Sequence, residues 1–101
     1  YCIAPGLIDQ HCHGGFGVDF NFSAAEDIRD FLRQLPQLGI TGVLPTIMTA
    51  PIIDMVSAMS VLEDVIHHHK ADQARILGLH LEGPFLNPAF GGAQSKQDIL
   101  E

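Results

Sequence analysis

Short apolar runs alternate along this chain with stretches of helical spacing. Leu7-Ile8-Asp9-Gln10-His11-Cys12-His13 reads as a strand, entered through the Pro5-Gly6 turn and closed by Gly14-Gly15. Ser23, with Glu26 three residues later, predicts a capping box that opens a helix. Ile28, Phe31, Leu32, Leu35 and Leu38 follow at helical spacing, with Gly39 at the stop. Pro36 predicts that this helix ends or kinks early, because proline lacks the amide proton and crowds the preceding turn. Ile40 to Thr46 reads as a second strand, and Pro51 suits the first turn of a second helix. Ile52, Met55, Val56, Met59, Leu62, Val65 and Ile66 form its apolar stripe, which ends near His67-His68-His69-Lys70. Arg75 to Leu81 is almost continuously apolar and predicts a third strand buried on both faces.

The order β-α-β-α-β, with crossovers of helical length, predicts an α/β fold with a parallel sheet. A closed (β/α)8 TIM-type barrel needs about 250 residues. Residues 1–101 therefore read as a partial barrel domain of three strands and two helices, incomplete at both ends. A small doubly wound domain is the competing architecture. Gly14-Gly15-Phe16-Gly17 lacks the glycine spacing that a dinucleotide-binding turn requires.

Five basic and twelve acidic residues give a formal charge of −7. That balance argues against nucleic acid and against an anionic membrane surface, both of which call for a basic patch. An anionic substrate stays compatible, since one or two local cations hold a phosphate whatever the net charge. Cys2 and Cys12 make no disulfide framework and read as free thiols. The apolar region from Ile40 to Ile53 is interrupted by Pro45 and Pro51, so it is not expected to span a membrane. With no signal-peptide pattern at Tyr1 to Gly6, the expected compartment is the cytoplasm.

Two clusters carry candidate chemistry. Alternation along the first strand points His11 and His13 the same way, and two neutral imidazoles on one face suit a borderline metal ion. At the C-terminal end of a barrel strand that direction is the active-site mouth. The bland alternative is a pair of hydrogen-bonded histidines at a strand end. The second cluster is His80-Leu81-Glu82-Gly83-Pro84. A carboxylate ending an apolar strand is costly to bury unless it is paired or bound to metal. Its alternative is an exposed loop-edge glutamate. His80 is expected to support the site by hydrogen bonding. Asp9 is expected on the face of His11 and His13, either orienting an imidazole or accepting from a nearby backbone donor. His67, His68 and His69 point in three directions on a helix and read as a solvated C-terminus favoured by the macrodipole.

Together the segments Pro5-Gly6-Leu7-Ile8-Asp9-Gln10-His11-Cys12-His13-Gly14 and Gly78-Leu79-His80-Leu81-Glu82-Gly83-Pro84-Phe85-Leu86-Asn87-Pro88 resemble the N-acetylglucosamine-6-phosphate deacetylase family of the amidohydrolase superfamily. Thr41-Gly42-Val43-Leu44-Pro45-Thr46 fits that family's second strand. The resemblance implies a (β/α)8 barrel in which Tyr1 to Ala4 are the last trace of a β-sandwich segment. It implies a divalent metal, zinc first, with one or two ions. Glu82 is then a metal ligand, and His11 and His13 hold a second ion in binuclear members. It further implies hydrolysis of the acetamide of a phosphorylated amino sugar, N-acetylglucosamine 6-phosphate, by a parent that forms a homo-oligomer. Two more histidine ligands, the aspartate general acid/base and the main phosphate-binding residues are implied beyond Glu101. The chain departs from the pattern at Gly91-Gly92-Ala93-Gln94, where the family has Lys-Gly-Ala-His and the histidine contacts the acetyl carbonyl. Gln94 is thus a candidate substrate-binding residue that can donate a hydrogen bond but carries no positive charge. Two other functions compete: another amidohydrolase acting on cyclic amides or deaminating its substrate, and a non-catalytic barrel kept for binding.

Overall fold

The computed structural model describes residues 1–100; Glu101, the last position of the expected domain, lies outside the described residues. The fold is α/β with a parallel sheet and two helices. Strand β1 (Leu7–Cys12) is followed by a small antiparallel hairpin, β2 (Gly14–Gly15) and β3 (Val18–Asp19). Helix α1 (Ala25–Gln34) leads through a 3-10 turn at Leu35–Leu38 into β4 (Ile40–Met48). Helix α2 (Ile52–His67) returns the chain to β5 (Arg75–Ile76) and β6 (His80–Glu82). β4 is central: β1 pairs with it in parallel, and β5 and β6 lie along it one after the other at Gly42–Val43 and Thr46–Met48.

The helix breaks fall where the chain chemistry demands. α1 stops at Gln34, Pro36 sits in the 3-10 turn, and Gly39 takes a left-handed φ of 81° that a residue with Cβ adopts only at a cost. The predicted capping box at Ser23 does not form. The Ser23 hydroxyl instead accepts from the Asp19 amide at 2.9 Å, and the helix begins at Ala25 behind Ala24, one residue later than a Ser23 cap would start it. Glu26 turns to Arg29 and Arg33 rather than back to the cap, and the Arg33 guanidinium above all lowers its carboxyl pKa.

Val43 and Ile47 of β4 and Ile76 of β5 pack with Ile28, Phe31, Leu32 and Leu35 beneath α1, and with Met55, Ala58, Leu62 and Val65 of α2. Burying a side chain such as Leu62 fully contributes about 1.5–3 kcal/mol. The predicted α2 stripe is only half right. Ile52, Val56 and Ile66 stay exposed, and Ala58, which was not counted, is buried, because the contact line runs Met55, Ala58, Leu62, Val65 at three- and four-residue steps.

The expected continuous third strand is a correction. Its ladder is interrupted over residues 77–79, with Gly78 in the gap, and the register slips there: three steps on β4, Val43 to Thr46, match four from Ile76 to His80. Nor is it buried on both faces: Leu77, Leu79 and Leu81 are between a third and a half exposed. A Cβ on Gly42 would meet Leu77 at 2.8 Å and Ile8 at 3.4 Å, so these residues share the face opposite the helices. Among the described residues, nothing packs over that face. Among the described residues, no helix is long and apolar enough to cross a membrane.

Candidate metal centre

Strand β1 carries an irregularity that decides which side chains reach the site. Asp9 pairs with Val43 and Cys12 with Pro45, so three steps on β1 match two on β4. One extra residue reverses the alternation between those points. Asp9 therefore does not share a face with His11 and His13 as the unbroken alternation predicts. Its carboxylate accepts from the His11 backbone N–H at 3.1 Å, the second of the two roles open to it.

Beyond the bulge, Cys12 packs toward the helical core and the flanking histidines turn the other way. β1 ends at Cys12, one residue short of the predicted His13. β6 brings Glu82 alongside. His11 Nε2 and His13 Nε2 stand 3.1 Å apart, and Glu82 Oε2 lies 3.3 Å from the first and 3.2 Å from the second. Three donor atoms thus form a nearly equilateral triangle. The resemblance assigns Glu82 and the histidine pair to different ions; here all three converge on one point.

The donor set fits a metal on two grounds. Bonds of about 2.0–2.1 Å in a tetrahedral shell place neighbouring donors about 3.3 Å apart, close to the observed edges. Second, Glu82 Oε2 and His13 Nδ1 are buried atoms with no hydrogen-bond partner. Glu82 is near enough to both imidazoles for an ion pair, yet no hydrogen bond to that oxygen is aligned. An unpaired buried polar atom costs about 1–3 kcal/mol, and a cation in the triangle would offset that cost at Glu82 Oε2, though not at His13 Nδ1 across the ring from the Nε2 donor.

His80 does not join the triangle. Its Nδ1 lies 3.1 Å from the Thr46 hydroxyl, and its ring meets that of His11 edge-on with centroids 4.9 Å apart. The hydrogen bonding expected of His80 is thus present, with Thr46 as its partner. After Glu82 the chain turns through Gly83, whose φ is 103° and whose added Cβ would lie 1.9 Å from the Thr49 hydroxyl. That hydroxyl donates to the Glu82 carbonyl at 2.9 Å. Gln94, buried, accepts from the Thr49 backbone N–H at 2.9 Å.

Other candidates fall away. Burial above all pushes the Cys12 thiol pKa up, against a smaller lowering by a backbone hydrogen bond at Gly14. The thiol is directed away from the triangle. His67, His68 and His69 are exposed at the end of α2, where His68 bonds the Asp64 carbonyl as a solvated helix terminus does. Sequence reasoning missed Thr46 and Thr49. The available signal was two hydroxyls three residues apart, one on a buried apolar strand and one just past its end, which must find partners there.

No protein-family model matches the chain. Curated relatives do. The N-acetylglucosamine-6-phosphate deacetylase of Vibrio furnissii is 34% identical over 99 residues, 98% of this chain and 25% of that protein. The human protein of the same name is 38% identical over 101 residues, 96% of this chain and 24% of its own length. Among solved structures, that of N-acetylglucosamine-6-phosphate deacetylase from Thermotoga maritima matches with a TM-score of 0.81 at 29% identity, over 94% of this chain and 25% of the other. A variant of the Mycobacterium smegmatis enzyme, solved in complex with N-acetyl-D-glucosamine-6-phosphate, matches with a TM-score of 0.78 at 30% identity, over 96% of this chain and 24% of that one. Over nearly its whole length the chain is homologous to N-acetylglucosamine-6-phosphate deacetylases, and it spans about a quarter of theirs.

Proposed function

We propose that this chain is part of a metal-dependent deacetylase that hydrolyses the acetamide of N-acetylglucosamine 6-phosphate, giving glucosamine 6-phosphate and acetate. Residues 1–101 are read as the opening strands and helices of a (β/α)8 barrel. The observation that carries the reading is the donor triangle of His11, His13 and Glu82 on a chain homologous to such enzymes. Zinc is the metal proposed, as one ion in the triangle or two sharing its donors. A cytoplasmic homo-oligomer is the expected state of the complete protein.

A divalent cation held by these residues supplies Lewis acidity toward a water and toward the amide carbonyl. The chain's own residues position it. The bulge aims the two imidazoles at one point, and the Gly83 turn, held by Thr49, presents the Glu82 carboxylate to the same point. Gln94 is proposed to face the acetyl group. Its carbonyl is engaged by Thr49, so the amide N–H is the part left to donate to the substrate oxygen.

The test is acetate release from N-acetylglucosamine 6-phosphate by the complete protein, stripped of metal and reloaded with zinc. Turnover is expected only after reloading, and Glu82→Ala should abolish it. Near-normal turnover in the zinc-loaded variant would overturn the assignment of Glu82. Zinc binding without turnover would favour a non-catalytic barrel.

A further inference from the structure

Strand β4 carries no metal ligand, yet one of its side chains touches both strands that do. We propose that Thr46 is a positioning residue of the metal centre, its hydroxyl fixing the histidine pair and the glutamate in one register. The proposal rests on the reading of His11, His13 and Glu82 as ligands.

Thr46 is fully buried. Its Oγ1 accepts from the backbone N–H of Cys12 at 3.2 Å, and Cys12 is the residue between the two histidines. The same oxygen lies 3.1 Å from His80 Nδ1, two residues before Glu82, and at a longer 3.4 Å from the Leu44 carbonyl. The backbone pairing brings Thr46 level with His80 and Met48 level with Glu82. The bulge on β1 explains why a side chain is needed. With the register irregular between Asp9 and Cys12, the Cys12 N–H is satisfied by a hydroxyl.

The hydroxyl then reaches the ligands by two routes. On the β1 side it pins the peptide from which His11 and His13 diverge. On the β6 side it holds the His80 ring, which stands edge-on to His11, whose ring lies 5.0 Å from that of His13. Groups that orient metal ligands from behind commonly alter affinity 10–100-fold when removed.

Zinc affinity of the complete protein, measured by chelator competition, tests this. Two matched pairs isolate the hydroxyl. Thr46→Val keeps the branched shape and loses only the oxygen, and Thr46→Ala differs from Thr46→Ser by the oxygen alone. The expected result is a 10–100-fold loss in the valine and alanine variants and near-parental affinity in the serine variant. Parental affinity in a folded valine or alanine variant overturns the proposal. So does failure of both to fold while serine folds and binds, because the hydroxyl is then needed for folding rather than for the centre. Glu82→Gln in the same assay separates the two claims. If it too leaves affinity unchanged, the ligand reading has failed; if it alone lowers affinity, only the role of Thr46 has.

Discussion

Gln94 and Thr49, 45 residues apart in sequence, meet in a buried hydrogen bond of 2.9 Å from the Thr49 backbone N–H to the Gln94 side-chain oxygen. Through Thr49 this contact is continuous with the Glu82 carbonyl, so the segment around Gln94 is fastened to the end of β6 that carries Glu82. Removing the acceptor leaves a buried amide unpaired. Gln94→Leu should destabilise the complete protein by about 1–3 kcal/mol, read as a lower thermal midpoint.

Gln94→His is the informative companion. A histidine can accept from Thr49 with one nitrogen and present the other as a donor to the developing oxyanion. Its kcat/KM should rise with the melting temperature nearly unchanged. An unchanged kcat/KM at unchanged stability would mean that fastening the loop, not touching substrate, is the whole role of this position.

Glu82→Gln removes the charge from the donor triangle while keeping its shape. Zinc affinity should fall by more than about 100-fold, beyond the range expected for residues that only orient ligands. In the parent protein, affinity should weaken steadily on acidification, because protons compete with the metal for the imidazoles. Affinity indifferent to pH would place the ion on other groups.

Gly83 is expected to tolerate no side chain. Its φ of 103° strains any L-residue, and an alanine Cβ would stand 1.9 Å from the Thr49 hydroxyl that holds the Glu82 carbonyl. The backbone alone should cost about 1–3 kcal/mol in Gly83→Ala. Zinc affinity should drop as well, since the hydroxyl must move. A variant that melts like the parent would show that the turn relaxes freely.

The order of long elements and the residues of the candidate donor triangle were legible because they follow from local rules. Apolar periodicity gave both helices and the central strand, and Gly39 and Pro36 marked their breaks. What stayed hidden depends on partners far away in the chain. The extra residue on β1 is invisible until Asp9 and Cys12 are set against Val43 and Pro45, so Asp9 was placed on the wrong face. Ser23 matched a capping motif, but its hydroxyl was already committed to the Asp19 amide. The third strand read as continuous because leucines flank Gly78 on both sides, while its pairing was set by β4. Gln94 was noticed as a departure from a family pattern, and its partner Thr49 could be found only in three dimensions.

Residues 1–101 prepared alone should associate and should release no acetate. In the described residues β1 and the β5–β6 pair each have β4 on one side only, and unpaired strand edges recruit further strands. The face opposite the helices compounds this. Ile8 is 55% exposed and Leu77 50%, on the side where Gly42 lets them approach closely. Each apolar Å² left in water forfeits about 25 cal/mol, and domains are held by only about 5–15 kcal/mol in total. A second copy of the sheet laid on this face would cover it, so self-association is favoured over an exposed monomer. The donor triangle by itself offers no general acid or base positioned for amide cleavage, and zinc binding there should proceed without turnover. Sedimentation velocity should show species larger than a monomer, growing with concentration. A sharp monomer with a cooperative melt would refute the folding claim, and zinc-dependent acetate release by that monomer would refute the catalytic one.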